Sequence, residues 1–257
     1  MENLHYYDYC TPEFDESLKM IKGLTWLPWV GNNYQNTNCR TLVVGESHYH
    51  TNDIKLRESF TDILLTRSLI YDYAIYLDWE CVNPTIDNFT RALFNDKYLT
   101  FFHDSTENLE KRKSLWSHLA FYNFVQRPML YNSEIKERPV SEDFYNGWSV
   151  FIEVIKVLRP TDCIFIGTKA SDFFEYMMST MNIQHSVVSK INTNSNTYGR
   201  SFSLAIDSKP IKMLSIKHTS KYFSYSKWHY FLREQNSEML DYLNEIVRKE
   251  DETVIPK

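Results

Sequence analysis

The stretch Thr41–Gly45 (TLVVG), followed directly by Glu46–His50 (ESHYH), decides the fold. A short apolar run with β-branched residues is typical of a strand that is buried on both faces of a sheet. In open α/β sheets, ligands bind beyond the carboxyl ends of the strands. The two runs together therefore predict a buried strand that delivers polar side chains to a binding site.

Along the rest of the chain, apolar runs alternate with helical patterns. Further strands are predicted at residues 119–125, 163–167, 184–190, 201–206 and 210–216. Helices are predicted at 13–24, 53–78, 141–158, 169–181 and 226–248, and one more opens at 83–87 with Thr85 as its cap. Residues 103–114 are charged and are expected to form a solvated helix or a loop.

Strands that alternate with helices imply βαβ units and a largely parallel sheet. We therefore expect a single α/β domain over residues 1–257, with three α/β/α layers around a central, mostly parallel sheet. Its core would span about residues 40–232, and an N-terminal extension and a C-terminal helix would pack on that core.

The composition argues against several classes of protein. The 6 glycines are too few for an all-β fold with many tight turns or for a Gly-rich nucleotide-binding loop. The 4 cysteines form no CxxC or CxxH cluster, so neither a thiolate zinc site nor a disulfide framework is expected. No signal peptide is visible and no apolar stretch approaches the ~20 residues that span a bilayer. The chain is expected to be cytoplasmic and to have no membrane partner.

The formal net charge of -5 counts against a protein that coats nucleic acid, because phosphate neutralisation dominates non-specific affinity. It is compatible with a DNA enzyme that holds one nucleotide through a local basic rim, since the distribution of charge matters more than its sum.

Two polar clusters interrupt or follow apolar strands. In Glu46–His50, either Glu46 or His48 could position a water molecule and Tyr49 could wall a planar ligand, whereas the plain alternative is a solvated helix cap. Asn123 lies inside the apolar run FYNFV, where an amide must find hydrogen bonds or cost stability. It is either a structural amide that ties down a loop or a reader of a nucleobase edge, to which it offers a donor and an acceptor.

The third cluster, His218–Ser220, follows the last strand and leads into residues 221–230, which interleave cations with aromatics. Surfaces that grip phosphates and stack bases have this composition. The alternative is an ordinary helix start whose aromatics enter the core, and it applies more to Trp228 and Phe231 than to Tyr222 and Phe223. All three clusters are expected at one edge of the sheet.

The order of these motifs over about residues 40–232 resembles the uracil-DNA glycosylase superfamily. GESHYH stands where that family has a water-activating motif of the type Gly-Gln-Asp-Pro-Tyr or Gly-Glu-Ala-Pro-Gly, and FYNFVQ stands where it has a base-reading Asn. A helix with Trp148 leads to CIFIGTKA, whose Gly167 and Ala170 match a strand end of the family. KHTS stands in place of the late His-Pro-Ser motif. Ser47 departs from the Asp of several branches, and His48 and Thr219 replace prolines.

The resemblance implies a DNA glycosylase that hydrolyses the N-glycosidic bond of uracil or another altered base flipped out of DNA. It assigns water positioning to Glu46 or His48 and stabilisation of the departing base to His218. It implies two further groups: base-binding residues Gly45, Ser47, Tyr49 and Asn123, and DNA-binding residues Thr219, Ser220, Lys221, Tyr222 and Phe223. Tyr222 or Phe223 would fill the gap that the flipped nucleotide leaves. The implied partner is DNA with an altered base, bound by a monomer that needs no metal or other cofactor.

Two alternatives stay open. The fold could serve as a non-catalytic nucleic-acid or nucleotide-binding module. A serine hydrolase could use Ser47, His218 and an acid, although GESHY lacks the second glycine of a nucleophile elbow.

Overall fold

The structure is a computed structural model that describes residues 5–50, 60–76, 83–95, 106–131, 134–193, 197–220 and 222–253. These residues form a mixed α/β fold around a seven-stranded sheet. Nine strands are described: β1 Trp29–Val30, β2 Thr41–Gly45, β3 Tyr49–His50, β4 Leu119–Asn123, β5 Met129–Leu130, β6 Asp162–Ile166, β7 Ser189–Asn192, β8 Tyr198–Ile206 and β9 Lys209–Ile216.

The strand order in the large sheet is β1-β4-β2-β6-β9-β8-β7, and β3 pairs with β5 in a separate small sheet. Strands β4, β2, β6 and β9 are mutually parallel and form its centre. The strands at both margins, β1 on one side and β8 and β7 on the other, join antiparallel. The expected parallel sheet is therefore present at the centre only, and the sheet as a whole is mixed.

The described helices are α1 Asp15–Lys19, α2 Leu65–Ile70, α3 Pro84–Phe94, α4 Thr106–His118, α5 Ser141–Leu158, α6 Phe174–Thr180, α7 Tyr225–Gln235 and α8 Ser237–Thr253. Helix α2 continues as a π-helix over Tyr71–Tyr76, and short 3-10 turns lie at His5–Asp8, Tyr34–Asn36 and Ala170–Asp172. Within the described part of the chain, none of these helices has the length and apolar character that crossing a membrane requires.

Side chains of the central strands are buried on both faces of the sheet, because successive residues of a strand point to opposite sides. Val43 joins a core cluster with Phe89 of α3 and Trp116 of α4. Leu42 and Val44 join a second cluster that contains Trp148 of α5. The double burial of β2 that its composition predicts is confirmed.

Several boundaries differ from the sequence prediction. The strand expected at 184–190 is found at Ser189–Asn192, on the margin of the sheet. Its side chains are mostly exposed, so its sequence has no apolar run that would mark it as a strand. The helix expected at 226–248 is two helices, because α7 ends before Asn236. The side chain of Asn236 donates a hydrogen bond to the carboxylate of Asp162. Helix α3 is capped by Asn83 and not by Thr85, because Asn83 Oδ1 accepts from the Thr85 N–H at 3.0 Å.

Two further segments are only partly described. Of the helix predicted at 53–78, residues 53–59 and 77–78 lie outside the described residues, and the remainder contains α2 and the π-helix. Of the charged segment 103–114, residues 103–105 lie outside them. The rest belongs to the helix α4, in which Arg112 is buried and the neighbouring residues 109–111 and 113–114 are half-buried, so the segment is a helix but not a fully solvated one.

Candidate functional site

The parallel centre of the sheet brings the ends of four strands to one edge. Gly45, the last residue of β2, lies directly beside Asn123, the last residue of β4. On the other side, the Gly167 N–H donates to Ile216 O at 3.0 Å, so the ends of β6 and β9 also meet. His218 follows β9 by two residues and therefore reaches the same edge.

A cleft of about 270 Å³ opens at this edge. This volume lies near the lower end of the ~300–1,000 Å³ of small-molecule sites, and so it suits one compact ligand. The cleft contains all seven residues that the sequence assigned to water positioning, base binding and stabilisation of the departing group: Gly45, Glu46, Ser47, His48, Tyr49, Asn123 and His218. The rest of the lining comes from 60–73, from the start of α3 and from β4: Phe60, Leu65, Thr66, Leu69, Ile70, Tyr73, Asn83, Thr85, Ile86 and Phe121.

Asn123 lies against Gly45 at the back of the cleft and is only 6% exposed. A Cβ atom on Gly45 would stand 2.1 Å from Asn123 Oδ1, so the amide needs a glycine beside it. Among the described residues, no hydrogen bond to the Asn123 side-chain amide is found, although its backbone oxygen accepts from Gln126. The amide lines the cleft, where a ligand or water can complete its hydrogen bonds. Asn123 is thus a polar group directed to a ligand-sized space.

Glu46 is held by contacts on each side. Backbone hydrogen bonds from Phe124 to Gly45 and from Val125 to Glu46 fix the segment against the residues that follow β4. The Tyr49 hydroxyl donates to Glu46 Oε2 at 3.2 Å. Glu46 Oε1 faces Gly167, whose φ of 135° is one that L side chains rarely adopt.

A small cavity of about 10 Å³ lies beside this carboxylate, lined by Glu46, Gly167, Lys169 and mostly apolar residues, three of them phenylalanines. That volume approaches the lower limit for one water molecule. The turn that forms one of its walls is fixed by a hydrogen bond of 2.9 Å from Trp148 Nε1 to Ala170 O. Glu46 is therefore positioned between the open cleft and a space of about one water.

His218 is partly buried, and this burial lowers the pKa of its imidazole below the ordinary value of 6.5. The charge of Glu46 raises that pKa and the charge of Arg138 lowers it, so both groups lie near the ring. With a lowered pKa, the imidazole is neutral at pH 7 and offers one N–H donor to the cleft.

His48 has a different environment. Its Nε2 lies 2.9 Å from Thr66 Oγ1, and its ring packs edge-on against Trp26 at 4.8 Å between centroids. Burial alone lowers its pKa to about 3. The side chain is therefore neutral and braced against α2, which suits a wall of the cleft.

Ser47 and Tyr49 lie on either side of His48. The Ser47 hydroxyl is buried without a hydrogen bond of normal geometry, although it lowers the pKa of the nearby Tyr49 phenol. The net pKa of Tyr49 is raised, chiefly by burial. The Tyr49 ring also meets Tyr131 edge-on, at 5.9 Å between centroids.

The His218 loop, defined as residues 217–220 and 222–224, carries the predicted DNA contacts. Thr219 is fully buried, and its hydroxyl donates to Thr85 O at 2.8 Å, while Asn88 donates to Thr219 O. Thr219 thus anchors the loop on α3. Ser220 is exposed, and Lys221 lies outside the described residues.

Tyr222 and Phe223 differ sharply in exposure. Tyr222 is 83% exposed and has a φ of 64°, a left-handed conformation that costs energy for a residue with a bulky side chain. Phe223 instead stacks on Trp228 with 6.2 Å between ring centroids. Of the two aromatics, only Tyr222 projects from the loop.

Sequence reasoning missed two parts of this site. The apolar wall formed by residues 60–73 was predicted only as a helix, because it follows no strand end. Arg138 also went unnoticed in a charged loop between β5 and α5. The sequence feature that could have indicated Arg138 is the cation-rich KER run at 136–138. It was passed over because it does not directly follow a predicted strand.

Within the described residues, no cluster of His, Cys, Asp and Glu has an arrangement that could hold a metal ion. Comparison of the sequence with known proteins finds no matching protein-family model and no matching curated protein. The function is therefore inferred from the geometry of the cleft.

Proposed function

We propose that the chain is a DNA glycosylase, which hydrolyses the N-glycosidic bond of uracil or another altered base flipped out of DNA. We also propose that its sheet and helices form the three-layer arrangement of the uracil-DNA glycosylase superfamily. The observation that carries the proposal is the position of the Asn123 amide, which forms no hydrogen bond within the described residues and shares one cleft with Glu46 and His218. A nucleobase has the size, flatness and polar edge that this space accommodates.

Base recognition follows from the walls of the cleft. Asn123 offers one donor and one acceptor to the base edge, and Gly45 allows that amide to lie close to β2. Tyr49, tied to Glu46, limits the space beside the base and disfavours a bulky ring substituent. An amide left unpaired by the wrong base would give strong discrimination, because the polar group would stay buried without a partner.

Bond cleavage requires stabilisation of charge on both fragments. As the bond between C1′ and the base nitrogen breaks, its electron pair leaves with the base, and the neutral His218 donates a hydrogen bond to the base oxygen. Glu46 then accepts a proton from a water molecule whose oxygen forms the new bond to C1′. We assign this step to Glu46 and not to His48, since Nε2 of His48 is already engaged by Thr66.

The DNA strand would lie across the His218 loop. Ser220 and Lys221 would meet phosphates, and Thr219 would act through its buried anchor on α3. Tyr222 would occupy the gap left by the flipped nucleotide, since it is the exposed aromatic of the loop. Phe223 would hold the loop by its contact with Trp228.

The serine hydrolase alternative gains no support from this geometry. The Ser47 hydroxyl hydrogen bonds to no base among the described residues, and a nucleophile needs an adjacent base to be activated. His48 bonds to Thr66 instead.

The test is a mass-spectrometric assay for free base released from DNA duplexes that each contain one altered base, uracil among them. We expect release from at least one substrate by the wild type and loss of release in Glu46→Gln. Asn123→Ala should lose discrimination between substrates while keeping its thermal midpoint. DNA binding without release from any substrate would instead support a non-catalytic module.

A further inference from the structure

A second surface borders the cleft, on the loop between β5 and α5. We name it the Tyr131 loop and define it as residues 129–131 and 134–140. Tyr131 is 44% exposed and its ring meets the cleft residue Tyr49 at 5.9 Å. Lys136 pairs with Tyr131 across the loop and places its ammonium group 5.7 Å from the centre of that ring.

Arg138 lies on the same loop and is exposed. Its charge acts on both Tyr49 and His218, so the guanidinium lies near these two cleft residues. Among the described residues it forms no ion pair and no side-chain hydrogen bond. An exposed guanidinium of this kind is a ready partner for a phosphate, to which arginine binds through two parallel hydrogen bonds.

Ion pairs and hydrogen bonds tie the Tyr131 loop to the start of α5 and to β5. Arg127 binds Asp143 through two hydrogen bonds of 2.6 and 2.8 Å, and it also pairs with Glu137. Glu137 in turn accepts from the Leu130 N–H at 2.8 Å. These contacts neutralise the Glu137 carboxylate and hold Lys136 and Arg138 outward without a ligand, which reduces the ordering cost of binding.

We propose that the Tyr131 loop is a second DNA-binding surface, on which Lys136 and Arg138 meet backbone phosphates and Tyr131 packs against a base next to the flipped nucleotide. The proposal deepens the proposed function, on which it rests for the position of the flipped nucleotide. The strand would then have two supports beside the cleft, the His218 loop and the Tyr131 loop. Alternation of aromatics with cations is the composition of surfaces that bind single nucleic-acid strands.

The experiment measures the affinity of the full chain for a short fluorescein-labelled DNA duplex without an altered base, by anisotropy over a series of salt concentrations. Arg138→Gln should weaken binding about tenfold at low salt, because one charge-assisted contact is lost. It should also reduce the slope of log affinity against log salt by about 1. On a labelled single-stranded oligonucleotide, whose bases are open to stacking, Tyr131→Ala should weaken binding about tenfold through lost stacking. Tyr131→Phe, which keeps the ring, should bind that strand as the wild type does.

The matched control is Arg159→Gln. Arg159 is likewise exposed, but it precedes β6 and so lies at the opposite edge of the sheet. Its substitution should leave affinity and salt slope unchanged. Wild-type affinity and slope in Arg138→Gln, with an intact thermal midpoint, would overturn the proposal. A wild type that binds uridine monophosphate and no DNA would overturn it as well.

The outcome is separable from that of the proposed function, because binding to an undamaged duplex needs no base release. If the protein releases a base but substitutions at Arg138 and Tyr131 leave DNA binding unchanged, the second DNA-binding surface is refuted and the proposed glycosylase activity stands. If DNA binding depends on Arg138 but no base is released from any substrate, the glycosylase activity is refuted and the second DNA-binding surface stands.

Discussion

The close approach of Asn123 to Gly45 makes Gly45→Ala an informative change. The new Cβ would lie 2.1 Å from Asn123 Oδ1 and 2.8 Å from Phe121 Cζ. Comfortable contacts between such atoms lie near ~3.5 Å, so the amide has to move by about 1 Å or more. Gly45 belongs to strand β2 and has no positive φ, and the backbone itself accepts an alanine there. The effect of the substitution is therefore steric.

Two consequences are expected from this displacement. Overpacking of a dense core costs about 1–3 kcal/mol in the free energy of unfolding. A shift of about 1 Å in a positioning group can cost about 100-fold in rate. Gly45→Ala should therefore lower the thermal midpoint modestly and slow base release about 100-fold under single-turnover conditions. Affinity for an undamaged duplex should stay close to that of the wild type, since the loops that border the cleft are untouched.

A double-mutant cycle with Asn123→Ala separates the contact from general damage to the strand. In the Asn123→Ala background the oxygen is gone, and the added methyl group meets only the tip of the Phe121 ring. Residues in contact show coupling energies of about 0.5–3 kcal/mol. The destabilisation by Gly45→Ala should thus be smaller in that background. Equal destabilisation in both backgrounds, measured by urea unfolding, would refute the position given to the amide.

Three other outcomes are expected. His218→Ala should lower the rate of base release about 10²–10³-fold while changing DNA affinity little, because the donor acts on charge that appears only during bond breaking; near-full activity would make His218 structural. The pKa of folded His48 is about 3, below its unfolded value of 6.5. Because protonation favours the unfolded state, the contribution of neutral His48 to the free energy of unfolding is complete above pH 6.5 and should fall by about 2 kcal/mol at about pH 5. Urea unfolding of the wild type should show this loss, and His48→Phe should not show it. In NMR titrations, Arg138→Gln should raise the pKa of His218 and Glu46→Gln should lower it, and shifts of the same sign would contradict their placement.

Long apolar patterns made most of the fold predictable. Helix α5 occupies Ser141–Leu158 as its apolar stripe predicts, and β2 occupies Thr41–Gly45. Strand β1 was missed because two residues, Trp29–Val30, carry no periodicity. The break between α7 and α8 was missed although it has a local signal, since Asn236 Oδ1 accepts from the Met239 N–H at 3.3 Å as a helix cap does.

The rule that polar residues cluster after buried strands predicted the edge at which the candidate site lies. It brought Gly45, Asn123 and His218 to one cleft, and their proposed roles stay predictions. The rule could not predict the partner of His48, since Thr66 belongs to a helix without a polar motif. It also could not distinguish buried Thr219 from exposed Tyr222, because the sequence does not show how the loop packs on α3.

Burial affects both histidines of the cleft, but it has a different consequence for each. Both imidazoles are neutral at pH 7 because burial lowers their pKa values. For His48, burial is the whole cause, and its ring is occupied by Thr66 and packed on Trp26, so its neutrality keeps a wall of the cleft intact. For His218, burial is again the largest cause, but the charge of Glu46 raises the pKa and the charge of Arg138 lowers it. A group that is coupled to charge in the cleft can stabilise charge that develops there, and we therefore propose His218 as the catalytic donor.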